Sequence, residues 1–190
     1  MITLKDIIGN IKKGQSALNV RVILNNLEKT YQQLIRDIKI TGCTTTGTDS
    51  AIVYMTMPSA TVNGISYDVV IWVDTQTKMK LTTPLKVYTN SPSFAYNFTY
   101  VFYRKGSLLF PEKYTDAFKS TPPKMRNPFM SVGFDRHVFA GIRYISDYKL
   151  PRIISKYDNV TPRVKSFQQK MNEIGAQKLE NEKQQSRIRR

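Results

Sequence analysis

The sequence predicts an α+β fold, an antiparallel β-hairpin sheet of about three strands flanked by N-terminal and C-terminal helices. Three features carry that prediction. Asn63-Gly64 separates two runs rich in β-branched and apolar residues, 51–62 and 65–75. Apolar residues recur at steps of three and four across 17–39, the spacing of one helix face. A Thr-Pro pair at 161–162 opens another stretch with the same spacing.

In chain order, Thr3 begins a short helix with Asp6 as its capping-box partner and Leu4, Ile7, Ile8 and Ile11 on one side; Gly14 ends it. The longer helix over 17–39 carries the stripe Val20, Ile23, Leu24, Leu27, Tyr31, Leu34, Ile35 and Ile38, a face for packing on the sheet. Residues 41–50, rich in Thr and Gly, read as a polar loop that holds Cys43, an ordinary loop thiol. No Gly-Lys-Ser/Thr follows, which excludes a P-loop.

Asn-Gly accepts positive φ at both centres of a type I′ turn. A two-residue loop there would set Val62 opposite Ile65, Met57 opposite Val70, Met55 opposite Trp72 and Val53 opposite Asp74. Val69 to Val73 is apolar on both faces, as a central strand is. Residues 79–88 form a third strand, and Pro84 within it implies an edge or a bulge. For 90–106 the alternating aromatics fit a strand, but Ser91-Pro92 at the start and Gly106 at the end favour a helix. Four prolines make 110–130 a long ordered loop. Residues 135–148 are helical, with Pro151 closing the stretch. The last helix turns Val164, Phe167, Met171, Ile174 and Leu179 inward and then fades into a mobile tail. The expected organisation is one domain over 1–150 and a basic helical extension over 151–190.

Charge narrows the function. The 190 residues carry 29 Lys and Arg against 14 Asp and Glu, a net +15. Residues 41–100 are net neutral, whereas 1–40, 101–150 and 151–190 carry +4, +5 and +6. A neutral β-rich centre with cationic flanks suits a polyanion: nucleic acid, an acidic protein surface or, least of all for want of a long basic amphipathic helix, anionic lipid. The expected contact residues are Arg104, Lys105, Lys124, Arg126, Arg143, Lys149, Arg152, Arg163, Lys165, Arg187, Arg189 and Arg190, with Tyr103 and Tyr148 beside them for stacking. The longest aliphatic and aromatic run, Val69 to Val73, is far short of a membrane span, and the first residues lack the apolar core of a signal peptide. One cysteine forms no internal disulfide.

Catalytic constellations are thin. Asp68 and Asp74 are alternate-register residues of one strand, the set a metal-dependent nuclease would use, but the Glu-x-Lys that would complete it is absent. Neither a Gly-x-Ser-x-Gly elbow nor a glycine-rich nucleotide fingerprint occurs.

One segment carries a family resemblance. Val87-Tyr-Thr-Asn-Ser-Pro-Ser-Phe94 runs through aromatics to Arg104-Lys-Gly-Ser107, then through Pro122-Pro-Lys-Met-Arg-Asn-Pro128 to Gly133-Phe-Asp-Arg-His137. Residues 85–145 thereby resemble the SWIM-like zinc finger of tailed-bacteriophage proteins, in which Cys-x-Cys-Pro-x-Phe leads into a helix ending Lys-x-Gly, and Cys-Lys-His opens a second helix after an Asn-Pro. Thr89, Ser91 and Asp135 stand at three ligand positions and only His137 remains. Zinc favours four thiolate, imidazole or carboxylate ligands, so no metal or other cofactor is expected. Packing of Phe94, Phe98, Phe134 and Phe139 would then hold the scaffold. The resemblance implies a non-enzymatic structural protein of a tailed phage at the head, neck or tail. Its partners would be other phage structural proteins in a larger oligomeric assembly, with packaged DNA as a further candidate and no membrane. It would reside in the virion or the host cytoplasm. The alternative is a sequence-tolerant nucleic-acid-binding accessory protein.

Overall fold

The structure, a computed structural model, describes residues 1–8, 17–59, 62–123, 127, 130–132, 135–146 and 149–188. It is α+β, as predicted, but among the described residues the sheet has five antiparallel strands rather than three. They are β1 (Ile2–Thr3), β2 (Lys39–Thr46), β3 (Ser50–Pro58), β4 (Ser66–Val73) and β5 (Pro84–Thr89), in the order β1-β5-β4-β3-β2. The helices are α1 (Leu4–Ile8), α2 (Ala17–Leu34), α3 (Pro92–Asn97), α4 (Thr99–Arg104), α5 (Asp116–Ser120), α6 (Arg136–Ser146), α7 (Leu150–Tyr157) and α8 (Phe167–Ile188).

The two additional strands come from segments with weak apolar signals. β1 is two residues long, and Thr3 both pairs with Pro84 and meets Asp6: its N–H and its hydroxyl each donate to Asp6 Oδ2 at 2.8 Å. The predicted loop 41–50 is mostly β2, joined to β3 by the turn at 47–49. Its threonines are β-branched and suit a pleated strand even though they are polar. Cys43 is fully buried there, so it is a strand residue and not a loop thiol.

The β3–β4 register differs from the hairpin expected of Asn63-Gly64 by three residues. Val53 faces Ile71, Met55 faces Val69 and Met57 faces Tyr67. The last pairing is Ser59 N–H to the Ile65 carbonyl at 2.7 Å, which leaves residues 60–64 as the connection. An odd shift moves every side chain to the opposite face. The observed register sets Ala51, Val53, Met55, Met57, Tyr67, Val69, Ile71 and Val73 on one buried face, whereas the expected one would pair Val53 with exposed Asp74. Burial of that face outweighs a local turn preference worth far less.

α6 covers this face. A Cβ on Gly141 would lie 3.0 Å from Ile71 Cδ1 and 3.1 Å from both Met55 Cε and Met57 Cε, so glycine lets the helix settle onto the sheet. α2 packs on α6 through the predicted stripe, with Leu27, Tyr31, Leu34 and Ile38 buried, but the helix stops at Leu34. On the other face Tyr88 packs against Phe110 and Tyr114, ring centroids 5.7 and 5.4 Å away.

Pro84 pairs with Thr3 of β1, so β5 lies between β1 and β4 and the expected edge is not found; the proline is tolerated because it is the first residue of the strand. The predicted helix at 90–106 exists as two short ones: Ser91 Oγ accepts from Phe94 N–H at 3.2 Å, Phe98 breaks the run, and Gly106 follows with φ 61. The loop expected over 110–130 contains a 3₁₀ turn at Pro111–Lys113 and α5.

Two proline readings are corrected. Pro151 does not close a helix; it sits in the first turn of α7, where its missing N–H costs nothing. Thr161-Pro162 does not open α8, because residues 161–166 are in no helix. The start lies at Ser166, whose Oγ accepts from Gln169 N–H at 3.2 Å while Gln169 Oε1 accepts from Ser166 N–H at 2.8 Å, a reciprocal capping box. The expected fading tail is helical to Ile188, and 176–185 are exposed. The core continues past residue 150, since Ile153 and Phe167 belong to it. Gly14 and Phe134 lie outside the described residues.

Candidate polyanion-binding cleft

α7 places Lys149, Arg152, Ile153, Lys156 and Tyr157 at steps of three and four, hence along one side of a helix. That side faces the start of β2 and the end of α6. Together Ile38, Lys39, Ile40, Tyr144, Lys149, Arg152, Ile153, Lys156 and Tyr157 line a cleft of about 650 Å³. Its floor is apolar: Ile38 and Ile153 are buried and Ile40 is half-buried. Its rim carries four cations, and among the described residues none of the four forms an ion pair with a carboxylate. Lys149 Nζ instead rests over the Tyr144 ring, 4.0 Å from its centroid, and Lys156 Nζ lies 5.3 Å from that of Tyr157. Aromatic faces hold the ammonium groups in place without neutralising them.

The structure thus gathers Lys149 and Arg152 from the expected set and adds Lys39, Lys156, Tyr144 and Tyr157. Lys39 was hidden by a helix drawn to residue 39, where β2 begins, and Lys156 and Tyr157 by a helix end at Pro151. The periodic pair Arg152–Lys156 with Ile153–Tyr157 is the signal that identifies them once α7 is drawn.

The other expected contacts are scattered. Arg104 and Lys105 are exposed at the end of α4. Arg143, half-buried on α6, lies 3.5 Å from Glu28 and over the Tyr31 ring, an interhelical role. Arg163 and Lys165 line a separate recess with Gln169, Asn172 and Glu173, and Lys165 Nζ pairs with Glu173 at 2.6 Å. Arg187 falls in the last turn of α8. Exposed Tyr103 is approached by Lys119, Nζ 5.9 Å from its centroid. Lys124, Arg126, Tyr148, Arg189 and Arg190 lie outside the described residues.

The two strand aspartates do not form a common site. Asp68 and Asp74 share a nominal strand face, but six residues of extended chain separate them by about 20 Å, too far to hold one ion. Asp68 Oδ2 accepts from Lys165 N–H at 2.9 Å and from Asn90 Nδ2 at 3.1 Å, while the Lys165 carbonyl accepts from Tyr88 Oη. This clamp fixes the lead into α8 on the sheet. Burial raises the Asp68 carboxyl pKa above its ordinary value. Burial also pushes the Cys43 thiol up to about 11, with Asp158 adding to it, so the thiol stays protonated at neutral pH.

The four positions of the zinc-finger pattern are all buried. Ser91 caps α3, and Asp135 Oδ1 caps α6 by accepting from the N–H groups of His137 and Val138 at 3.1 and 3.0 Å. Thr89 Oγ1 accepts from Ser91 N–H at 3.2 Å. His137 meets the Tyr67 ring edge-on, centroids 5.0 Å apart. Among the described residues no three His, Cys, Asp or Glu side chains converge as a metal centre requires. Hydroxyls and a carboxylate here do what a thiolate does less well, capping helix N-termini. Burial favours the neutral imidazole of His137 and raises the Asp135 carboxyl.

No protein-family model, curated protein or solved structure matches this chain.

Proposed function

We propose that the protein is a non-enzymatic interaction protein that grips a polyanion, and that its setting is the assembly of a tailed-phage virion at the head, neck or tail. The cleft on α7 carries the first part: four cations around a concavity without a described carboxylate partner to neutralise them. Such a site attracts phosphate or carboxylate-rich surfaces, and its attraction weakens with salt. The engagement of Asp68 by Lys165 and Asn90, the helix-capping role of Asp135 Oδ1 and the protonated, buried thiol of Cys43 support a binding role over catalysis. The phage setting rests on the resemblance of residues 85–145.

Two measurements test it. Replacing Lys149 and Arg152 with Gln should weaken retention on an anionic matrix and on DNA, with the native fold kept. Mass spectrometry of purified virions should find the chain in fixed stoichiometry; its absence there, with tight salt-sensitive DNA binding by the free monomer, would favour an accessory protein acting in the infected cell.

A further inference from the structure

Taking the cleft as the seat of a polyanion, we propose that its ligand is a single-stranded nucleic acid, bound with a base against the apolar floor and its phosphates on the cationic rim. Simple polyanion capture needs only charge. This cleft adds a floor of Ile38, Ile40 and Ile153 and two half-buried tyrosines, Tyr144 and Tyr157, between the cations.

Ligand sites of roughly 300–1,000 Å³ that combine apolar walls with a few placed polar groups fit molecules that are apolar and polar in parts. A nucleotide unit has both parts, a flat ring and an anionic linker. Duplex DNA keeps its bases stacked inside, so it would meet the rim and leave the floor uncovered. A single strand turns a base outward and stacks it on an aromatic face. Lys149 and Lys156 already lie against those faces, 4.0 and 5.3 Å from the ring centroids. A swing of either ammonium toward a phosphate frees a ring for a base, so charge pairing and stacking are gained together. The geometry contains no carboxamide pair aimed into the cleft among the described residues, so binding is sequence-tolerant.

Fluorescence anisotropy on the full chain tests this with three probes: an oligo-dT strand, an abasic strand of equal length, and a duplex. The abasic strand keeps the phosphates and lacks the bases, so the comparison does not depend on any variant folding. Oligo-dT should bind at least about fivefold more tightly than the abasic strand, the scale of one stacked base. Changing Lys149→Gln together with Arg152→Gln should lower the salt slope for oligo-dT by about 1.4, from about 0.7 per lost phosphate contact. Changing Tyr144→Leu together with Tyr157→Leu should shrink the preference for oligo-dT over the abasic strand, because both rings open to a base are then lost. Equal binding of oligo-dT, abasic strand and duplex, still sensitive to Lys149→Gln and Arg152→Gln, would overturn the single-strand proposal and leave the polyanion reading standing. Binding insensitive to those two changes would overturn both.

Discussion

At the scale of single residues, Asp68 shows how burial converts a candidate catalytic group into a fastener. Its carboxylate takes two hydrogen bonds from Lys165 and Asn90, so Asp68→Ala should strand both donors and cost about 2 kcal/mol in urea unfolding. Asp68→Asn keeps an acceptor and removes the buried charge, so its cost should stay under about 1 kcal/mol. Gly42 is a second fastener. A Cβ there would sit 2.3 Å from the Val160 carbonyl oxygen, and Gly42→Ala should cost about 3 kcal/mol through displacement of that segment. His137 sets a pH dependence. Its folded pKa is lowered by burial, so the unfolded chain binds a proton that the folded one refuses, and stability falls as pH drops below about 6.5. Asp68 and Asp135 act in the opposite sense. Their folded pKa values are raised, so between about 3.9 and those values the folded state holds more protons and their contribution grows as pH falls. Urea midpoints at pH 7.5 and 5.5 should therefore fall more in the native protein than in His137→Phe.

At the scale of elements, the legible parts of the sequence were those where apolar period and end signals agree. The capped start at Ser91 meets that condition, and the apolar pattern alone located α2, β3, β4 and α6. The illegible parts had a local signal that tertiary packing overrode. Asn63-Gly64 specified a tight turn, yet the face from Val53 to Met57 set the register. β2 has threonines where a strand usually shows aliphatics, and only pairing with β3 and cover from Val160 make it one. Pro151 and Pro162 carried opposite meanings, helix entry and irregular chain, which composition alone does not separate. The cleft joins the start of β2, read as the end of a helix, to α7, read as following a helix end, so it surfaced only in three dimensions. The Ser166–Gln169 box is legible in retrospect, and Ser166→Ala should lower stability by about 1 kcal/mol, read as a drop in thermal midpoint.

At the scale of the whole molecule, a neutral sheet sealed by helices carries cations on its outer elements, and α8 continues well beyond them. From Gly175 to Ile188 that helix extends for about 20 Å with its described side chains mostly exposed. Deleting residues 180–190 should leave the thermal midpoint of the body unchanged while weakening its incorporation into an assembly, measured by co-sedimentation with particles. An unchanged incorporation would move the attachment point to the cleft. The outer border of the sheet has a different consequence. Val160 N–H bonds the Cys43 carbonyl at 3.0 Å, Thr161 meets Thr44 at 2.8 Å, and Asp158 accepts from Thr45 at 2.9 Å, so the border of β2 is closed by chain made more than a hundred residues later. A ribosome-bound nascent chain must wait for that stretch with its strand bare, open to pairing with neighbours on the same polysome. Premature stops before residue 158 should yield insoluble protein, and stops after 175, which spare buried Phe167, should not.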